Sequence, residues 1–377
     1  MFWKRRVYLD AAAGVRGNPS SPHEDGRRAK AMLEGARTAI ARLVEVQSDD
    51  VVFTSGATES NALAILGHAR ALRARGAGVL HTLYLPSAHA SVIENMKLLM
   101  EEGVSIEPLP IRDARIDIDA FAKMVRPETF LVSMDAVCGE TGIVWNTREV
   151  AEVLKKTFAS FTRARALLHV DASQAPLTEK ISRAHFGADL LTFDASKVSS
   201  ARGIGALITH RTIPIVPLYR GGGQERGLRS GSEAPVLTRE FARGLAAAVQ
   251  CREFFHVSAG RERARLIERA TRGIPSLHIN GGLSQAPNIL NFSLPGRDTD
   301  YLVALLDEAG FSVSTRSACE TDSEEGSRAV FVITGDRERA RTTLRVSWGP
   351  DVRPRELDSF ARALIRAVAF IDNNSRR

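Results

Sequence analysis

Three short apolar runs follow one another near the middle of the chain: Leu167–Val170, Ala188–Phe193 and Ile204–Ile208. Runs this short, mostly apolar and bounded by turn residues, read as strands buried on both faces. Such strands need helices above and below them, which restricts the chain to an α/β architecture with a mostly parallel sheet. Ligands of open α/β sheets bind outside the strand C-termini, so the residues there matter most. Asp171 sits at the tip of the first run, and Lys197 follows the second by a short polar turn. The Gly203-Ile204-Gly205 turn then returns the chain into the third. An acid at one tip and a lysine past the next is what a pyridoxal phosphate site needs. The lysine forms a Schiff base with the aldehyde, and the acid pairs with the pyridinium nitrogen and keeps the ring an electron sink. Taken alone, the two residues read more simply as a helix-capping Asp and a solvated Lys.

The α/β rhythm extends to both sides. The expected strands are Val7–Leu9, Val51–Thr54, Val79–Leu85, Val104–Pro108 and Thr129–Met134. The expected helices are Glu24–Val46, Ala62–Leu72, Ala90–Glu102 with His89 at its start, Phe121–Val125 and Thr147–Thr157. Met32, Leu33, Ala36, Ile40, Leu43 and Val44 make one apolar face on the first of these. Between strand and helix lies Ser55-Gly56-Ala57-Thr58-Glu59-Ser60-Asn61, a glycine turn with hydroxyls whose backbone N–H groups face an anion. It lacks the Gly-Lys-Ser/Thr of a P-loop, and Thr58 to Asn61 also reads as a plain helix cap. After Gly205 the character changes: a proline-containing stretch, the glycine loop Arg220–Arg226, then a bridging helix at about Val236–Ile267. The expected organisation is a large domain over 15–250 and a smaller α+β domain from 1–14 and 251–377.

Composition sets the surroundings. With 377 residues, 44% hydrophobic and 25% charged, the chain suits one large or two medium domains with a real core. It has no apolar run of membrane-spanning length and no signal-peptide core near its start, so no membrane partner is expected. Three cysteines, Cys138, Cys251 and Cys319, are too few for a disulfide framework, which points to a reducing cytoplasm. The net charge of +7 is scattered over helices and forms no block, so no nucleic-acid partner is expected. No metal-ligand set is read.

A longer set of motifs then stands together: YLDAAA from Tyr8, FTSGATESNALAI from Phe53, HVDASQ from His169, SKVSSARGIGAL from Ser196, RGGGQERGLRSGS from Arg220, STRSACETDSEEGS from Ser314 and TLRVSWG from Thr343. In order and spacing they resemble the cysteine desulfurases of the class V, fold type I, pyridoxal-phosphate-dependent aminotransferases. The resemblance implies that Lys197 holds the cofactor and shuttles the Cα proton, with Asp171 on the ring nitrogen. It implies Gln174 on the ring hydroxyl and His89 stacked on the ring, assisting in proton transfer. Ala57, Thr58 and Ser196 hold the phosphate, joined by Ser232 from the second subunit of a homodimer. Arg345 clamps the carboxylate of L-cysteine, and Cys319 is the nucleophile that leaves with the sulfur as a persulfide, with Arg316 a candidate to activate it. The 26 positions between Cys319 and Arg345 resemble the long-loop branch, which hands sulfur to an acceptor protein, as in iron–sulfur cluster assembly. Selenocysteine lyase and other class V lyases share the residue set, and a non-catalytic scaffold of the same fold is the alternative from another class.

Two departures stand out. Where the family commonly has Asn-Asn-Glu-x-Gly, this chain has Cys138-Gly139-Glu140-Thr141-Gly142. The missing second amide leads to the expectation that turnover is slow and that Gly139→Asn speeds it. Where the family has Ser-x-His-Lys, this chain has Asp194-Ala195-Ser196-Lys197, which sets a carboxylate beside the expected phosphate.

Overall fold

The computed structural model describes residues 7–15, 17–161, 165–315 and 326–374. Its strands in chain order are β1 (Val51–Thr54), β2 (His81–Tyr84), β3 (Ser105–Pro108), β4 (Ile111–Arg112), β5 (Arg115–Ile116), β6 (Thr129–Asp135), β7 (Leu167–Asp171), β8 (Leu190–Asp194), β9 (Gly205–Thr209), β10 (His278–Asn280), β11 (Ile289–Ser293) and β12 (Thr343–Ser347). Seven of them form one sheet in the order β1-β9-β8-β7-β6-β2-β3. The five from β8 to β3 run parallel, while β9 is antiparallel to both its neighbours. Every residue of β6 and β9 is buried, as expected for apolar strands covered on both faces. The sheet is therefore α/β and mostly parallel, as the apolar runs imply.

Three neighbouring parallel strands each end in an aspartate: Asp135 on β6, Asp171 on β7 and Asp194 on β8. Asp135 and Asp171 are register partners. The turn after β1 reaches the same edge because Gly56 and Gly205 pack backbone against backbone. A Cβ on Gly205 would come within 2.7 Å of Gly56 Cα, so only glycine fits there.

The 39-residue helix Pro235–Gly273 joins two cores. Proline stands in its first turn, where no N–H is missed. Its Phe241 and Leu245 pack into the core of the large sheet. Its Phe255, Leu266 and Ala270 pack into a second core with Phe292, Leu344, Phe360 and Leu364. That second core covers the antiparallel sheet β10-β11-β12.

Three sequence expectations are corrected. Val7–Leu9 is not a strand: Val7 is 68% and Leu9 89% exposed, and the segment is held instead by turns, with the Tyr8 hydroxyl donating to the Gly14 carbonyl at 2.8 Å. The helix expected over Ala62–Leu72 starts five residues earlier, at Ala57, and passes through a wider π turn at Leu63–Gly67 before ending at Ala74. The helix expected to run to Val46 stops at Leu43, because Glu45 adopts a positive φ of 60°. No helix among the described residues is long and apolar enough to cross a membrane.

Candidate active site

A cavity of about 270 Å³ opens at the strand ends. Ala57, Thr58, His89, Asp171, Gln174, Lys197 and Arg345 all line it. These residues come from five separate segments, and the fold brings them to one place. Ser196 touches this wall through Asp194, to which its hydroxyl donates at 2.6 Å. Ser232 is exposed and does not line the cavity. Cys319 and Arg316 lie outside the described residues.

At the β7 end, Asp171 is buried and both its oxygens are engaged. Asn61 Nδ2 donates to Oδ2 at 2.8 Å, and the Ser173 N–H donates to Oδ1 at 2.9 Å. The same Asn61 amide donates to Ser91 Oγ at 2.9 Å, and Ser91 Oγ lies 2.8 Å from His89 Nδ1. The Ser91 N–H also donates to His89 Nδ1, at 3.2 Å, which is why His89 starts its helix as the N-cap. An Nδ1 that accepts from a backbone N–H carries no proton, so the neutral ring holds its proton on Nε2.

Beside Asp171 stands Asp135, a wall residue that the sequence reading missed. Its carboxyl is driven well above the usual range, first by burial and then by the Asp171 charge. Its Oδ1 has no hydrogen-bond partner among the described residues. It was within reach of the same signal that marked Asp171, an acid at a strand tip. The expected strand stopped at Met134, one residue short. Beneath the pair, burial drives His169 down to about 4, so its ring is neutral and structural, bonded to Ser133 and Thr192. Burial first, then Asp135, pushes the Cys138 thiol up to about 12. A thiol so protonated is an inert part of the wall.

The loop 138–142 is the seam between the two sheets. Arg345 on β12 donates to the Gly139 carbonyl at 3.1 Å, and Asn291 on β11 donates to the Glu140 carbonyl at 3.3 Å. Arg328, also missed in the sequence, donates to the Ala88 carbonyl at 2.9 Å and adds a second cation to the wall. The gap expected at Gly139 does not exist. A Cβ there would meet Gln174 Nε2 at 2.8 Å and Cγ at 3.2 Å. Gln174 occupies the space that an Asn side chain would need, so Gly139→Asn has to move the Gln174 amide and the expected gain in speed is not supported.

The arrangement offers an amine, a buried acid, an amide, a ring with a fixed tautomer and a guanidinium around one small volume. The family described as Aminotransferase class-V matches residues 7–360. The chain is 33% identical to cysteine desulfurase IscS 1 of Archaeoglobus fulgidus over 88% of its length and 85% of the relative's. The solved structure of a NifS-like protein superposes with a TM-score of 0.84 at 28% identity, covering 94% of this chain and 92% of that one. The structure of SspA in complex with cysteine superposes with a TM-score of 0.70 at 26% identity, covering 89% and 91%.

Proposed function

We propose a division of labour among the residues that starts from one premise: the chain belongs to the class-V aminotransferase family and is a pyridoxal-phosphate-dependent cysteine desulfurase. The cavity fits the cofactor. Lys197 and the buried, oriented Asp171 face one volume, and Ser173 Oγ and Asp135 Oδ1 are buried polar atoms without partners among the described residues. When bound, the cofactor supplies an electron sink that makes the substrate Cα proton removable.

Lys197 would hold the cofactor covalently, and its Nζ would move the Cα proton. Asp171, fixed by Asn61 and Ser173, would face the ring nitrogen. Gln174 donates to the ring hydroxyl. His89 lies against the ring, with its proton presented from Nε2. Ala57, Thr58 and Ser196 hold the phosphate. Ser232, exposed on its loop, joins them from a second copy of the chain, which makes the enzyme a homodimer. Arg345 pairs with the carboxylate of L-cysteine.

Cys319 takes the sulfur. Its thiolate attacks the substrate sulfur, an S–S bond forms, the Cβ–S bond breaks, and its electron pair returns to the carbon skeleton, which leaves protonated as alanine. Of the other two cysteines, Cys138 is buried with a raised pKa, and Cys251 is tied to its own helix, its thiol donating to the Ala248 carbonyl at 3.4 Å. A persulfide needs a reduced setting and an acceptor. This supports a cytoplasmic enzyme that passes sulfur to a partner protein, as in iron–sulfur cluster assembly.

The observation that carries the reading is the convergence of Lys197, Asp171, Gln174, His89 and Arg345 on one cavity. The test is single turnover of Cys319→Ala with L-cysteine. We expect cofactor retained, substrate bound and no persulfide by mass spectrometry. Persulfide at wild-type yield on Cys138 or Cys251 contradicts the assignment.

A further inference from the structure

The phosphate end of the cavity already holds an anion that belongs to the chain. Asp194 Oδ2 accepts from the Ala57 N–H at 2.9 Å. Its Oδ1 accepts from the Ser196 N–H at 2.8 Å and from the Ser196 hydroxyl at 2.6 Å. The contact is close enough that a Cβ on Gly56 would lie 3.2 Å from Oδ2. The rest of the turn is engaged as well. The Ser55 N–H donates to Glu59, and the Gly56 N–H to Thr54 Oγ1 at 3.4 Å. Glu59 is itself held in place by the Tyr219 hydroxyl at 2.7 Å and by Arg229 at 3.6 Å. So the three N–H groups of Ser55, Gly56 and Ala57 are matched one for one by acceptors of this chain, two of them carboxylates.

An N–H has one hydrogen, and a phosphate oxygen and a carboxylate oxygen cannot both take that of Ala57 at full strength. Two anions in one cradle also repel, most strongly where water is excluded. Asp194 is only partly buried at the end of its strand, so its side chain has room to leave.

We propose that Asp194 is a built-in competitor for the cofactor phosphate: it closes the cradle in the cofactor-free chain, and pyridoxal phosphate binds by displacing it. This rests on the placement of the phosphate at Ala57, Thr58 and Ser196 given above. The cofactor is then held less tightly than its donors alone would allow, and the chain loses and regains it according to supply.

The test uses the full chain stripped of cofactor, as wild type, Asp194→Ser and Asp194→Asn. Each is titrated with pyridoxal phosphate and, separately, with pyridoxal, which has the aldehyde and ring but no phosphate. The readouts are the visible band of the lysine adduct and the rate at which it appears, with circular dichroism confirming the fold. We expect the dissociation constant for pyridoxal phosphate to fall at least tenfold in both variants and the association rate to rise, while that for pyridoxal moves less than twofold. Asp194→Asn keeps the side-chain size and serves should Asp194→Ser fold poorly. Unchanged or weaker affinity for pyridoxal phosphate in a folded variant overturns the proposal. Equal tightening of pyridoxal also overturns it, because Asp194 then acts on the ring or the lysine. If neither aldehyde forms a band with Lys197 in any form, the cofactor reading of the cavity falls first and this inference with it.

Discussion

Asp171 and Asp194 end adjacent strands of one sheet, and the chain treats them in opposite ways. Asp171 is buried and held by a neutral amide and one N–H, so its charge stays directed at whatever enters the cavity. Asp194 is only partly buried and satisfied by the N–H at a helix start and by a serine, so its charge is already spent within the chain. Asp135, on the third strand end, is a different case again: buried beside Asp171, with its carboxyl driven well above the usual range by burial and by the Asp171 charge. An acid at a strand tip is therefore one signal with three outcomes. What separates them is the set of donors that tertiary packing delivers.

The sharpest break of this contrast is Asp171→Asn. It removes the buried charge proposed to face the ring nitrogen and costs about 3–4 kcal/mol, or roughly two to three powers of ten in the rate of alanine formation. Cofactor stays attached to Lys197, so absorbance separates this from simple loss of binding. A rate within threefold of wild type would mean that Asp171 is a structural acid like any other.

Arg345→Ala probes the opposite wall, where charge comes from β12 across the seam and not from a strand tip. Loss of a charge-assisted pair is worth about 1.5–3 kcal/mol, which appears as a tenfold to hundredfold rise in KM for L-cysteine. An unchanged KM would move the carboxylate clamp elsewhere, with Arg328 the next residue to test.

The smallest effect belongs to Asp135→Asn. A carboxyl whose folded pKa is raised binds its proton more tightly in the folded state. Its contribution is therefore most favourable at low pH and is lost as pH rises from the unfolded value toward the folded one. Replacing it with a neutral amide removes that loss. The cofactor-free variant should melt about 1–3 °C higher than wild type at pH 8, with a smaller gain at pH 5. A gain that is larger at pH 5 than at pH 8 would show that Asp135 is charged in the folded chain.

Much of this was legible in the sequence because strand tips are. Continuous apolar runs gave β6 to β9 and so placed Asp171 and Lys197. Asp135 carried the same signal and was lost to a boundary one residue short. Asn61 and Ser91 carried none. Their work depends on two helices packing side by side at the sheet edge, and nothing local in either segment records that contact. Arg328 reaches the wall from a segment of the chain far from the strand tips. Val7–Leu9 misled in the other direction: its alternating apolar residues suit a strand, but in this chain they meet solvent. Gly139 looked like a missing donor because sequence shows what a residue lacks and not which neighbour fills the space.

The central claim is that Lys197, three residues past Asp194, is the lysine that carries the cofactor. Borohydride reduction of the purified, cofactor-loaded enzyme, followed by peptide mapping, tests it directly. The account predicts the reduced pyridoxyl group on Lys197, one per chain, with no visible band and no alanine formed by Lys197→Ala. Modification of another lysine, or a reducible band that survives in Lys197→Ala, would contradict it.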